Sequence, residues 1–185
     1  MLGVIIDLLG RALDDEVDSI RQVIIDTPGV RNLHELRTRR MAHRSLVDAH
    51  VCVDARISVS EGHRIAEMTR KRVLDSHSSV SDVLVHVDVE DDLNHDSRLQ
   101  SMPDRSELMM ELAPILTDLP EPRRVILHYL NGRIEAELLL PRQSLGDPAG
   151  VSKAEREIAR QLAEYPLISS LSINYGRQVF PVRGH

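Results

Sequence analysis

Residues 45–54 read Ser-Leu-Val-Asp-Ala-His-Val-Cys-Val-Asp, and this run decides the fold. Val47, Ala49, Val51 and Val53 alternate with Asp48, His50, Cys52 and Asp54. Successive side chains of a strand point to opposite faces, so the run is a strand with one apolar and one polar face. It is expected to extend from about Ser45 to Ile57. Upstream, Val17, Ile20, Ile24 and Ile25 recur at helical spacing behind Asp14-Asp15-Glu16, whose negative charge suits a helix N-terminus. Thr27-Pro28-Gly29 stops that helix, and an extended stretch from Val30 to about Arg40 follows. Downstream, Ser58-Val59-Ser60-Glu61 supplies capping residues for a helix that carries Ile65, Met68, Val73 and Leu74 and ends near Ser76. A third strand from Val83 to Val89 puts Val83, Val85 and Val87 on one face and Leu84, His86 and Asp88 on the other. The order is helix, strand, strand, helix, strand.

The same order then repeats. Residues 90–104 are polar, acidic and close on Pro103, which is linker composition. A helix is expected from about Ser106 to Thr117, kinked or shortened by Pro114. Val125 to Leu130 and Arg133 to Leu140 form strands joined by Asn131-Gly132, a strong signal for a tight hairpin. A loop over 141–150 leads to a helix capped by Ser152, and a last strand runs from Leu167 to Tyr175. The pattern is an internal duplication of one α+β unit, each with helices packed on one face of a small sheet.

Composition narrows the function. The 185 residues are 42% hydrophobic and 28% charged, as in a folded globular chain. With 23 Lys and Arg against 29 Asp and Glu, and only three Tyr, one Phe and no Trp, the chain lacks the basic footprint and stacking surface of a nucleic-acid binder. The single cysteine, Cys52, excludes an internal disulfide and fits a reducing compartment. No apolar stretch approaches the ~20 residues that span a bilayer. Residues 1–13, broken by Asp7 and Arg11, do not read as a signal peptide. The chain as given reads as soluble and cytosolic. Phosphate-binding glycine loops and nucleophile motifs are absent, so no enzyme is expected.

Nine histidines remain. His86-Val87-Asp88 puts an imidazole and a carboxylate side by side on one strand face, which suits a divalent metal and also suits an ordinary polar sheet face. His50 shares a polar strand face with Cys52, His34 opens the first strand, and His63 lies in the first turn of the second helix, four residues before Glu67. Four histidines and one bridging carboxylate suffice for two ions, and that donor set favours zinc or a similar borderline cation. Whether Cys52 or Glu67 joins them stays open. The second half has only His128 and the terminal His185, and ends its third strand in Ser172-Ile173-Asn174 where the first has His-Val-Asp. His43, His77 and His95 fall in expected loops.

Residues 14–89 resemble the cytoplasmic C-terminal domain of cation diffusion facilitator transporters. The resemblance is carried by Thr27-Pro28-Gly29-Val30, His34-Glu35-Leu36-Arg37-Thr38-Arg39, Val47-Asp48-Ala49-His50-Val51, Ser58-Val59-Ser60-Glu61-Gly62-His63-Arg64-Ile65-Ala66 and Val83-Leu84-Val85-His86-Val87-Asp88, in order. It implies a ferredoxin-like module over this stretch that binds metal and dimerises; with the repeated element order, the expected fold is two tandem ferredoxin-like αββαβ units. It further implies a binuclear site of His34, His50, His63, His86 and Asp88, with Asp88 bridging and His63 supplied by the partner subunit. The expected division is a membrane-proximal linker or helix at 1–13, a metal-binding domain at 14–89, an acidic linker at 90–104 and a second repeat without ligands at 105–180. The expected role is metal sensing and dimerisation on the cytoplasmic side of a divalent-cation efflux transporter. Zn²⁺ is the first expectation, and Cd, Co, Ni, Fe and Mn are open. The expected partners are a second copy and the transporter's transmembrane domain. A stand-alone cytosolic metal buffer or chaperone is the alternative.

Overall fold

The computed structural model describes residues 15–41, 44–89, 101–141 and 148–176. Residues 1–13, most of the 90–104 segment, His43, His95 and His185 lie outside them. The chain divides into two compact units, residues 1–95 and 96–185.

In the first unit, α1 (residues 15–25) leads to β1 (Asn32–Met41), β2 (Arg44–Cys52), α2 (Val59–Ser76) and β3 (Val80–Asp88). In the second, α3 (Arg105–Leu112) leads to β4 (Arg124–Leu130), β5 (Arg133–Leu140), α4 (Pro148–Leu162) and β6 (Ile168–Tyr175). Each unit is an αββαβ module around one three-stranded mixed sheet. The orders are β1-β2-β3 and β4-β5-β6, with the first pair of each antiparallel and the second parallel. A parallel pair needs a crossover, which α2 and α4 provide.

The alternation of residues 45–54 is realised in space. Val47, Ala49, Val51 and Val53 are buried, while Asp48, His50, Cys52 and Asp54 are half-exposed. Val47, Ala49 and Val51 meet Ile20 and Ile24 of α1, Val73 of α2 and Val80 and Val83 of β3 in one core. The second core joins Leu108, Leu112, Ile115, Ile134 and Ile158. Branched aliphatic side chains fill both, which is why the chain needs so few aromatics.

Among the element ends that differ from the sequence expectation, four have a local reason. β2 stops at Cys52 rather than Ile57 because Asp54 captures the following backbone: its Oδ1 accepts from the Arg56 N–H at 2.8 Å and its carbonyl from the Ile57 N–H at 3.2 Å. β3 starts at Val80, three residues early, because Val80 already pairs with Ser45. α3 begins in a capping box between Asp104 and Glu107 and ends at Leu112, since Pro114 has no N–H to continue the helix. Ser152 is not the cap of α4: the helix begins at Pro148, a residue whose fixed φ and missing N–H suit the first helical position.

Two turns carry the backbone demands. Asn131 (φ 52°) and Gly132 (φ 67°) form the tight β4–β5 hairpin. Gly29, at φ 93°, lies against Ile65: a Cβ there would sit 2.6 Å from Ile65 Cδ1 and 2.8 Å from Cγ1. Gly29→Ala is therefore expected to destabilise the first unit by about 1–3 kcal/mol, from the left-handed backbone and the overpacking together. A denaturant melt unchanged from the parent would refute this.

Candidate metal centre

The polar outer face of β1-β2-β3 collects the candidate ligands. His50 and His86 are direct register partners in the parallel β2–β3 pair. Their rings stack with centroids 4.5 Å apart and planes inclined by 14°. Asp88 lies two residues beyond His86 on the same face, opposite Cys52, and reaches diagonally to His50, with Oδ2 at 3.1 Å from Nδ1. The side chains of His50 and Asp88 are 37% and 21% exposed, so the pair is open to solvent but not freely mobile. Two imidazoles and a carboxylate thus share one patch that the strand register fixes.

His34 reaches the same side through a β-bulge. Leu33 pairs with Val51 and Glu35 with His50, leaving His34 as the extra residue of β1. Such a bulge lets the alternation skip a step, so Leu33 packs with the core and Leu36 packs against it although they are three residues apart. Glu35, which the sequence reading did not single out, becomes the cross-strand neighbour of His50; its carboxylate accepts from Arg37 Nε at 2.8 Å. The signal for it was the spacing of Leu33 and Leu36, which period two cannot accommodate without an inserted residue.

His63 is exposed at the fifth position of α2, and Glu67 is exposed one turn on. Gly62 beside it is buried, with Val87 of β3 within 3.5 Å of where a Cβ would be, so α2 sits close on the sheet there. Cys52 is half-buried, its thiol directed 3.7 Å to the carbonyl of Val53. His77 lies in the loop after α2 as expected, partly exposed; it caps the helix and its Nε2 lies 2.9 Å from Ser19 Oγ, tying α2 to α1. Among the described residues, no three His, Cys, Asp or Glu side chains of the single chain are grouped closely enough to hold a metal ion. The sheet brings His50, His86 and Asp88 together, places His34 at the bulge of the neighbouring strand, and leaves His63 on the helix.

The register also shows what became of this patch in the second unit. Val47 of β2 pairs with Val83 and Thr38, and Ala136 of β5 pairs with Leu171 and Leu127, each one step after the bulge that starts the parallel ladder. Counting from there, Leu139 stands where His50 does, Asn174 where His86 does, Gly176 where Asp88 does and Arg124 where Glu35 does. The Ser172-Ile173-Asn174 alignment expected from the sequence is thus two residues out of step. What persists is a cross-strand contact: Arg39–Asp48 and His128–Glu137, each at 3.4 Å, occupy corresponding sites. His128 is a strand-pairing histidine.

Comparison with known proteins gives a consistent picture for the first unit. Residues 12–90 match the family described as "Cation efflux protein, cytoplasmic domain". The chain is 35% identical over 85 residues to metal tolerance protein C1 of Arabidopsis thaliana, a match covering 45% of this chain and 18% of that protein. It is 35% identical over 82 residues to the cation-efflux pump FieF of Pectobacterium carotovorum, covering 44% and 27%. It is 28% identical over 81 residues to the manganese efflux system protein MneP of Bacillus subtilis, covering 43% and 27%. The chain therefore spans well under a third of the length of these relatives. Among solved structures, a MamM CTD variant in a cadmium form aligns at 22% identity with a TM-score of 0.42, over 43% of this chain and 98% of that one. The matched family is one of transport, not of enzymes. Among the described residues, no helix is long and apolar enough to cross a membrane.

Proposed function

We propose, from the premise that residues 12–90 are a cation-efflux cytoplasmic domain, that the first unit senses a divalent cation and dimerises around it, regulating an efflux transporter. The observation that carries this reading is the His50–His86–Asp88 patch, two register-paired imidazoles and a carboxylate on an open sheet face. Its donors fit a borderline cation such as zinc, and the residues that would hold it are His34, His50, His86 and Asp88 with His63 of a second copy. A bound cation would supply positive charge between two acidic surfaces. The chain's own residues do the rest: the sheet register fixes the imidazoles, and the bulge adds His34 to the same side. His63 on its separate helix is the donor left for the neighbouring copy. Ligands drawn from two copies bind fully only when the copies approach, so the cation stabilises the approached state by mass action.

Subunit complementation tests this. His63→Ala and His86→Ala, each alone, are expected to lose zinc-dependent dimerisation in sedimentation velocity. Mixed together they should regain it, because one of the two shared sites then has a full ligand set. A His63→Ala chain that dimerises with zinc like the parent would overturn the shared site.

A further inference from the structure

Each sheet has two edge strands, and three of the four are guarded by charge. β1 carries Arg37, Arg39 and Arg40, β3 carries Asp82 and Asp88, and β4 carries Arg124. β6, Ile168-Ser169-Ser170-Leu171-Ser172-Ile173-Asn174-Tyr175, has no charged residue and no proline. An uncharged edge strand presents unpaired N–H and C=O groups to any strand that can lie beside it, and soluble proteins normally blunt such an edge. Among the described residues, β5 is the only strand paired with β6.

The surface beside this edge is apolar and open. Leu171 and Ile173 of β6 line a cavity of about 320 Å³ with Ile158, Ala159 and Leu162 of α4 and Glu155 at its margin. Both β6 residues are half-buried; Val83, the counterpart of Leu171 in the first unit, is buried, while Val85, the counterpart of Ile173, is half-buried as well. Along the neutral edge, Leu171 is thus less covered than its counterpart in the first unit.

We infer that β6 is a homotypic pairing edge, at which two copies of this chain join antiparallel and continue one sheet into the other. The pattern selects the register. Directly opposite residues of an antiparallel pair point to the same face, so core positions must meet core positions. A two-fold axis at Ser172 does this: Leu171 faces Ile173 of the second copy, Ser170 faces Asn174, and Ser172 faces itself. No like charges meet anywhere along the pair, and a symmetric interface needs only one self-complementary patch. A second copy is favoured over an unrelated peptide because β6 alone satisfies both sides: small polar residues on the outer face, and Leu and Ile to extend the apolar layer. The contact is independent of the metal site.

Cysteine cross-linking in full-length chains carrying Cys52→Ser tests both the edge and the register. Ser172→Cys is expected to form a disulfide-linked dimer on mild oxidation, since paired positions bring Cα atoms within disulfide range. Ser170→Cys alone and Asn174→Cys alone should not, because their copies lie about 13 Å apart along the strand. The two mixed should cross-link to each other. In the uncrosslinked chain, Ser172→Lys should lower the dimer fraction at low zinc without altering the melt, as the site is exposed. Failure of Ser172→Cys to couple, or equal coupling of all three single variants, would overturn the inference. Neither result would bear on His63 complementation.

Discussion

Asp88→Ala is expected to remove most of the zinc binding of this chain. In calorimetry the parent should take up about two ions per chain, as a bridged pair requires, and the variant fewer. The remaining binding should weaken by about a hundred-fold or more, some 2.7 kcal/mol on the affinity scale. Asp88 is bonded to the histidine pair, with Oδ2 3.1 Å from His50 Nδ1. Removing it takes away the negative charge that two cations would share, and frees His50 from its oriented position. The fold should survive, because Asp88 is half-exposed at the end of β3 and its backbone carbonyl still accepts from the Val53 N–H at 2.9 Å. Asp88→Asn separates the two effects: it keeps the shape and loses the charge, so it should bind as poorly as the alanine variant. Parental stoichiometry in either variant would remove Asp88 from the site.

Leu138→Ala is expected to destabilise the second unit by about 2–5 kcal/mol, a large share of what a small domain possesses. Leu138 is fully buried, between Val125 of β4 and Ile173 of β6 on the core face. Across ~80 residues each kcal/mol moves the midpoint by about 4–8 °C, so the melting of that unit should fall visibly. Zinc stoichiometry should not change, because the second unit carries Leu139, Asn174 and Gly176 where the first carries His50, His86 and Asp88. Loss of zinc binding together with the second unit would contradict the assignment of the ligands to the first unit alone.

Much of this was legible in the chain. Alternation over 45–54, the helical spacing of Ile20 and Ile24, the Asn131-Gly132 hairpin and the repeated element order are short-range patterns, and each formed as read. Strand ends were less legible, because they are set by whichever backbone groups find partners: Asp54 closing on Arg56 and Ile57, or Val80 joining the ladder at Ser45. The bulge at His34 was written in the spacing of Leu33 and Leu36, but only the pairing with Val51 and His50 shows which residue is inserted.

The sequence by itself determined which residues are apolar, which could ligate a metal, and where each element lies, because side-chain chemistry and periodicity are local properties of the chain. Tertiary structure alone decided which candidate ligands meet. Residues 50, 86 and 88 come together because the β2–β3 register sets His50 opposite His86, whereas His63 lies on α2. It also decided that the second unit's counterparts are Leu139, Asn174 and Gly176, a correspondence two residues away from the one the sequence suggested. Alternation restricts register only to shifts of two residues, and hydrogen bonds between segments distant in the chain decide among those.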